Sequence, residues 1–207
     1  MSEMYDVSAR AYLKRARMLL ATQNPSAMFH AAFELRAGLE ARIGEYLEVW
    51  DHVSPTAKKA WQIGLLDRHA KDAFSGNSTV ADFTFSGPDT RARFLYTPVR
   101  AGGRQAAGNL NNYMHAQKKW RDMQDVWWLN FADVLAKAEA ELAFAVSGTL
   151  LGPVLMKQGR LADMKCEVLD AQPMPLKPEI GAQLNFEVAY HPAKGFEMPP
   201  DAYLWRG

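Results

Sequence analysis

Between Met28 and Trp50, apolar residues return at helical spacing: Met28, Ala32, Leu35, Leu39, Ile43, Tyr46 and Trp50. No other stretch limits the fold as tightly. Phe29, Phe33 and Leu47 widen this stripe into a broad apolar wedge. Asn24-Pro25 stops whatever precedes it, and Pro25 and Ser26 suit a helix start, so the pattern predicts a helix over 26–51. A helix this broadly apolar has to be covered by neighbours.

The neighbours are readable too. Ser8 suits the cap of a helix over 9–22, with Tyr12, Ala16, Leu19 and Leu20 inward and Arg10, Lys14, Arg15 and Arg17 outward. Ser54-Pro55 opens a third, over 55–74. Two β-rich runs, 80–86 and 91–99, flank Gly87-Pro88-Asp89 and predict a hairpin. After Gly102-Gly103 the pattern predicts one long helix over 104–147. Its stripe is Tyr113, Ala116, Trp120, Met123, Trp127, Phe131, Val134, Ala138 and Leu142. The sevenfold steps within it suit packing against other helices.

The end of the chain differs. Six of the eleven prolines fall between Pro173 and Pro200. Strands are expected over 161–169 and 182–190, and the aromatic tail Phe196–Trp205 is expected to dock. The resulting fold class is mainly α, a helical bundle with an inserted β-hairpin and a small C-terminal β segment. Residues 1–156 form the bundle, with the β insert at about 80–100, and 157–207 form a β-rich, irregular extension packed on it.

The most apolar run, Ala143 to Met156, is interrupted by Ser147, Gly148, Gly152 and Pro153. It falls short of the roughly 20 residues a membrane span needs. The start, MSEMYDVSAR, lacks a basic-then-apolar signal pattern, and the single cysteine, Cys166, excludes an internal disulfide and any multi-cysteine zinc site. A cytoplasmic location is expected, with no membrane association.

Charge is segregated along the chain. From Thr90 to Trp120 there is no acidic residue, yet the stretch holds Arg91, Arg93, Arg100, Arg104, Lys118 and Lys119, with Arg121 next. Phe94, Tyr96, Tyr113 and Trp120 are threaded through it. The whole chain has a net charge of only +1. Such a basic, aromatic-bearing tract is the usual footprint of a surface that meets phosphates or an acidic partner.

Three constellations could carry chemistry. Arg36 and Glu40 are four apart within the apolar wedge, where a pair of charges must be satisfied, so they are expected to form a structural polar pair. Arg104, Asn111, His115, Lys118 and Asp122 would share one face of the long helix, with Asn112 at its border. An imidazole can move a proton near neutral pH and a guanidinium can stabilise phosphorane charge, which suits RNA cleavage without a metal. Gly103 and Gly108 have P-loop spacing, but Asn109-Leu110 replaces the Lys-Ser/Thr that grips phosphate and Mg²⁺. His30 and Glu34 supply only two ligands and no HExxH pattern. No metal or cofactor is expected.

The tract AYLKRARMLL, with AMFHAAFELRAGLEARIGEYL after it, resembles the paired helices of HEPN-like domains from bacterial defence and toxin systems. LNNYMHAQ, Leu110 to Gln117, is similar to the Asn- and His-bearing part of their last core helix. The resemblance implies a helical bundle that dimerises, with an Arg-x4–6-His motif from each subunit forming a metal-independent RNase site. His115 would be the motif histidine and Asn111 or Asn112 its companion. No arginine lies at the motif spacing; the nearest upstream is Arg104, eleven residues earlier. Either Arg104 substitutes, or the domain only binds RNA or a partner.

The leading expectation is therefore an RNA-binding protein, with endoribonuclease activity if Arg104 and His115 work together, in a stress or phage-defence setting. Asn111, Asn112, Lys118, Lys119 and Arg100 would hold phosphate. The alternative is a noncatalytic protein–protein interaction module. Either way, a homodimer packed through the long Trp-rich helix is expected.

Overall fold

The computed structural model describes residues 5–74, 78–87, 90–115, 119, 121–122, 124–158, 160–169, 172–175 and 185–207. Among them helices predominate, joined by two small antiparallel sheets. In chain order these are α1 (Ala9–Ala21), α2 (Pro25–Glu48), α3 (Pro55–Lys58), α4 (Ile63–Phe74), β1 (Thr79–Ser86), β2 (Arg91–Tyr96), α5 (Ala101–Met114), α6 (Val126–Ser147), β3 (Leu155–Lys157), β4 (Arg160–Asp163) and β5 (Asn185–Pro192).

The starts follow the capping residues. Ser8 Oγ accepts from Ala11 N–H at 3.2 Å, Asn24 Oδ1 from Ser26 N–H at 2.9 Å, and Ser54 Oγ from Ala57 N–H at 3.2 Å. Pro25 and Pro55 stand in the first turns, where a missing N–H costs nothing.

α2 is the axis of the helical part, in contact with α1, α4, α5 and α6. Ala31, Leu35, Leu39, Ile43, Tyr46 and Leu47 are fully buried along it. Gly38 marks its closest approach: a Cβ there would lie 2.5 Å from Leu142 Cδ2 and 3.0 Å from Tyr12 Cβ. Only a residue without a side chain lets α1 and α6 come this near.

The single helix expected over 104–147 is two helices. His115 leaves helical geometry at φ −80°, ψ 155°. Asp125 then caps a new start, its Oδ1 accepting from Trp127 N–H at 2.9 Å, and Asp122 Oδ1 accepts from Gln124 N–H at 2.9 Å. α6 folds back along α5, which brings Tyr113 onto Phe131 with ring centroids 4.3 Å apart and planes 5° apart. Trp127 lies 5.2 Å from Tyr113 and 6.1 Å from Phe29. Tyr113, Trp127 and Phe131 of the stripe are thus packed on one another and on Phe29. Trp120 and Met123 lie outside the described residues. The helix expected over 55–74 is likewise two, α3 and α4.

The hairpin forms as expected, with Ala81 opposite Tyr96 and Ser86 opposite Arg91. It is not a free-standing insert, because β5 adds to its other side in the order β2-β1-β5. The C-terminal segment is woven into the rest. The strand expected over 161–169 is confined to Arg160–Asp163, while Cys166 bridges Leu150. Tyr203 is buried, and its hydroxyl accepts from Leu169 N–H at 3.0 Å.

Candidate functional site

The basic tract lacks acids of its own, but the fold supplies them from elsewhere. Arg93 binds Asp82 and, through Nη1, Asp201 Oδ1 at 2.9 Å. These hydrogen bonds to Asp82 raise the Arg93 guanidinium further above its ordinary value. Arg100 grips Glu141 with two bonds, at 2.9 and 3.1 Å, and lies 3.9 Å above the Phe144 ring. Arg104 Nε is 3.0 Å from Asp67 Oδ1, and its Nη1 donates to Val99 O. Arg121 meets Asp125 at 3.4 Å. Four guanidinium groups of the tract are therefore engaged inside the chain. Arg91 and Lys119 are exposed, and Lys118 lies outside the described residues.

Arg104 and His115 stand near opposite ends of α5. Eleven residues at 1.5 Å per residue place their backbones about 16 Å apart along the helix axis. Arg104 is turned toward α4, and His115 is exposed where α5 ends. Asn111 is half-buried and Asn112 exposed one turn before it. Within one copy, then, the guanidinium and the imidazole are not brought to a common point.

Arg36 and Glu40 do pair, Nη2 to Oε1 at 3.1 Å, and both are half-buried. Burial pushes the Glu40 carboxyl up, against the opposing pull of Arg36. Glu34, four residues after His30 on α2, accepts from Arg15 Nε at 2.8 Å and from the Tyr5 hydroxyl at 3.2 Å.

The most demanding polar group is one that the sequence pattern did not single out. Arg42 is fully buried. Its Nε donates to Tyr46 Oη at 2.9 Å and Ala145 O at 3.0 Å, and Nη2 donates to Gly148 O at 2.9 Å. Nη1 donates to Glu45 at 2.9 Å and to Glu167 at 3.0 Å. Arg10 joins from α1, bonding Val146 O, Gly148 O and Glu167. Two cations thus close the C-terminus of α6, where carbonyls lack helical partners and the helix dipole is negative. Burial alone would lower the Arg42 guanidinium, but Tyr46, Glu167 and Glu45 together hold it above its usual value. Burial pushes the Tyr46 hydroxyl up to about 12. The signal was present: Arg42 lies seven residues from Leu35 and four from Tyr46, inside the apolar wedge.

The described residues leave several concavities, two of them large. A groove of about 570 Å³ between α1 and α2 is lined by Arg15, Met18, Leu19, His30, Phe33 and Glu34, with Met18 and Phe33 exposed. A cleft of about 620 Å³ lies over Arg10, Lys14, Glu167, Gln172 and Trp205. Cys166 is half-buried, and burial raises its thiol to about 11, so it is a poor nucleophile at neutral pH. Among the described residues no group of three or more His, Cys, Asp and Glu is arranged to hold a metal ion, and no helix is long and apolar enough to cross a membrane.

Comparison of the chain with protein-family models, with curated proteins and with solved structures finds no match.

Proposed function

We propose that this chain is a noncatalytic protein-interaction module, cytoplasmic, built on a HEPN-like helical bundle. One observation carries the reading. The arginines that would form a phosphate-binding surface, Arg93, Arg100, Arg104 and Arg121, are engaged by Asp82, Asp201, Glu141, Asp67 and Asp125. A cation already neutralised at hydrogen-bond distance releases few counterions on meeting RNA. An apolar surface open to a partner is the groove between α1 and α2, where Met18 and Phe33 are exposed on adjacent helices. Large exposed apolar side chains beside one another are a common mark of protein contact.

The RNA reading has one observation in its favour. Asn112, His115 and Lys119 are exposed at and just beyond the end of α5. In a dimer, a second copy would have to bring the guanidinium that the first does not supply.

Incubation of labelled total RNA with the protein in EDTA separates the two. The interaction reading expects intact RNA. Cleavage that is lost in both His115→Ala and Arg104→Ala would instead establish the metal-independent RNase.

A further inference from the structure

After β5 the chain turns back and straps the sheet. Ala193 N–H donates to Ser78 O at 2.9 Å, and Tyr203 N–H reaches the far edge, donating to Arg93 O of β2 at 2.8 Å. Tyr203 also forms a parallel bridge with Phe94. Between these bonds Ala193, Ala202 and Leu204 are buried against Val80 and Leu95, with Phe144, Phe196 and Met198 packed around them. This small apolar cluster is distinct from the main core, to which Tyr203 and Trp205 turn.

One charged group fastens the strap. The carboxylate of Asp82, on the central strand, is buried and bound by Arg93. The same guanidinium holds Asp201 of the strap at 2.9 Å. One cation thus serves two carboxylates, which leaves a negative charge at a buried site. His191, the residue before β5 ends, stands at that site. Its Nε2 is 3.6 Å from Asp82 Oδ2, and its ring lies 5.4 Å from that of Phe196 on the strap.

The surroundings of His191 are these. β1 contributes Asp82, β2 Arg93 and the strap Asp201. Arg100 reaches Ala193 O at 3.4 Å but is held by Glu141 of α6. Glu187 on β5, and Lys194 and Glu197 on the strap, are exposed. A proton on the imidazole therefore improves both of its contacts. It neutralises the charge that Arg93 leaves over, and it places a cation beside an aromatic ring.

We propose that His191 is a pH-sensitive clasp on this strap: the charged imidazole fastens residues 193–205 to the sheet, and the neutral one lets them lift from Val80, Leu95 and the β2 edge. Because the docked strap favours the protonated form, docking is strongest on the acid side and weakens as pH rises through the range where histidines lose their charge, about pH 5 to about pH 8. The clasp does not depend on the function assigned to the α1–α2 groove.

Native-state amide hydrogen exchange reads it directly, with each rate divided by the intrinsic rate at the same pH. The Ala193 and Tyr203 amides should be about threefold better protected near about pH 5.5 than near about pH 8, the scale of a partly exposed ion pair. The Leu39 amide, in the middle of α2, should show no such change. His191→Phe keeps a ring against Phe196 but cannot be charged, so the response should vanish; His191→Gln serves if that variant does not fold. Protection of Ala193 and Tyr203 that is flat with pH in the wild type overturns the proposal. So does a response that survives both substitutions, or one that Leu39 shares, since the opening would then be of the whole fold rather than of the strap.

Discussion

Arg42 and Glu167 are 125 residues apart in the chain, yet Nη1 and Oε2 meet at 3.0 Å at the C-terminus of α6. The contact ties α2 to the C-terminal segment. It is part of a closed set of bonds that also holds Tyr46, Glu45 and the Ala145 and Gly148 carbonyls. Removing one member strands the others.

Arg42→Ala is therefore expected to destabilise the protein by about 3–5 kcal/mol, the range for breaking a buried ion pair from one side. Urea denaturation measures it. A loss below about 1 kcal/mol would mean that water or other groups take over the stranded carbonyls.

Tyr46 gives this network a pH dependence with a definite sign. Its hydroxyl is raised in the folded chain from 10.0 to about 12, chiefly by burial. A group whose folded value is raised contributes stability fully below its unfolded value and loses it as pH rises through the folded value. The stability difference between wild type and Tyr46→Phe should thus be constant up to about pH 10, the ordinary tyrosine value, and shrink above it. Denaturation midpoints of the two proteins from neutral to alkaline pH make the comparison. A difference that grows with pH would refute the assignment.

Gly38 is the packing counterpart. A Cβ added there would be 2.5 Å from Leu142 Cδ2, and Leu142 is fully buried. Gly38→Val should cost about 1–3 kcal/mol through overpacking, and thermal melts should show it. Gly44, where a Cβ would meet nothing within 4 Å, is the control. There Gly44→Ala should gain about 0.5–1 kcal/mol from helix propensity.

Arg100 and Arg104 should behave as structural residues. Each is half-buried and bound to an acid. Substituting either by Ala should lower stability by about 1.5–3 kcal/mol, the range for hydrogen bonds to charged groups. RNA affinity should not change. A variant that keeps its stability but loses RNA affinity would return that arginine to a binding surface.

The helices that carry an apolar period and a cap were legible in the sequence. Met28 to Trp50 and Ser8 to Leu20 needed only spacing and a start signal. The hairpin was legible from Gly87-Pro88-Asp89 between two β-rich runs. What was hidden depends on contacts between distant segments. The apolar period of Tyr113 to Leu142 runs on past the end of α5, so periodicity alone merged α5 and α6; Asp122 and Asp125 before the Trp pair were the missed start signal. The basic tract looked like an open cationic surface because its acids lie elsewhere, at Asp67, Asp82, Glu141 and Asp201. Arg36 and Glu40 were legible as a pair from their spacing, but Arg42 was missed because its partners at Ala145, Gly148 and Glu167 are far along the chain.

The guanidinium groups of Arg93, Arg100, Arg104 and Arg121 are spent inside the fold. RNA affinity measured between about 50 and about 200 mM salt tests this most directly, since each phosphate contact adds to the slope of log affinity against log salt. Weak binding with a slope near zero is the predicted result. A steep slope that falls in Arg100→Ala and Arg104→Ala would contradict it, because those guanidinium groups would then be meeting phosphate rather than Glu141 and Asp67.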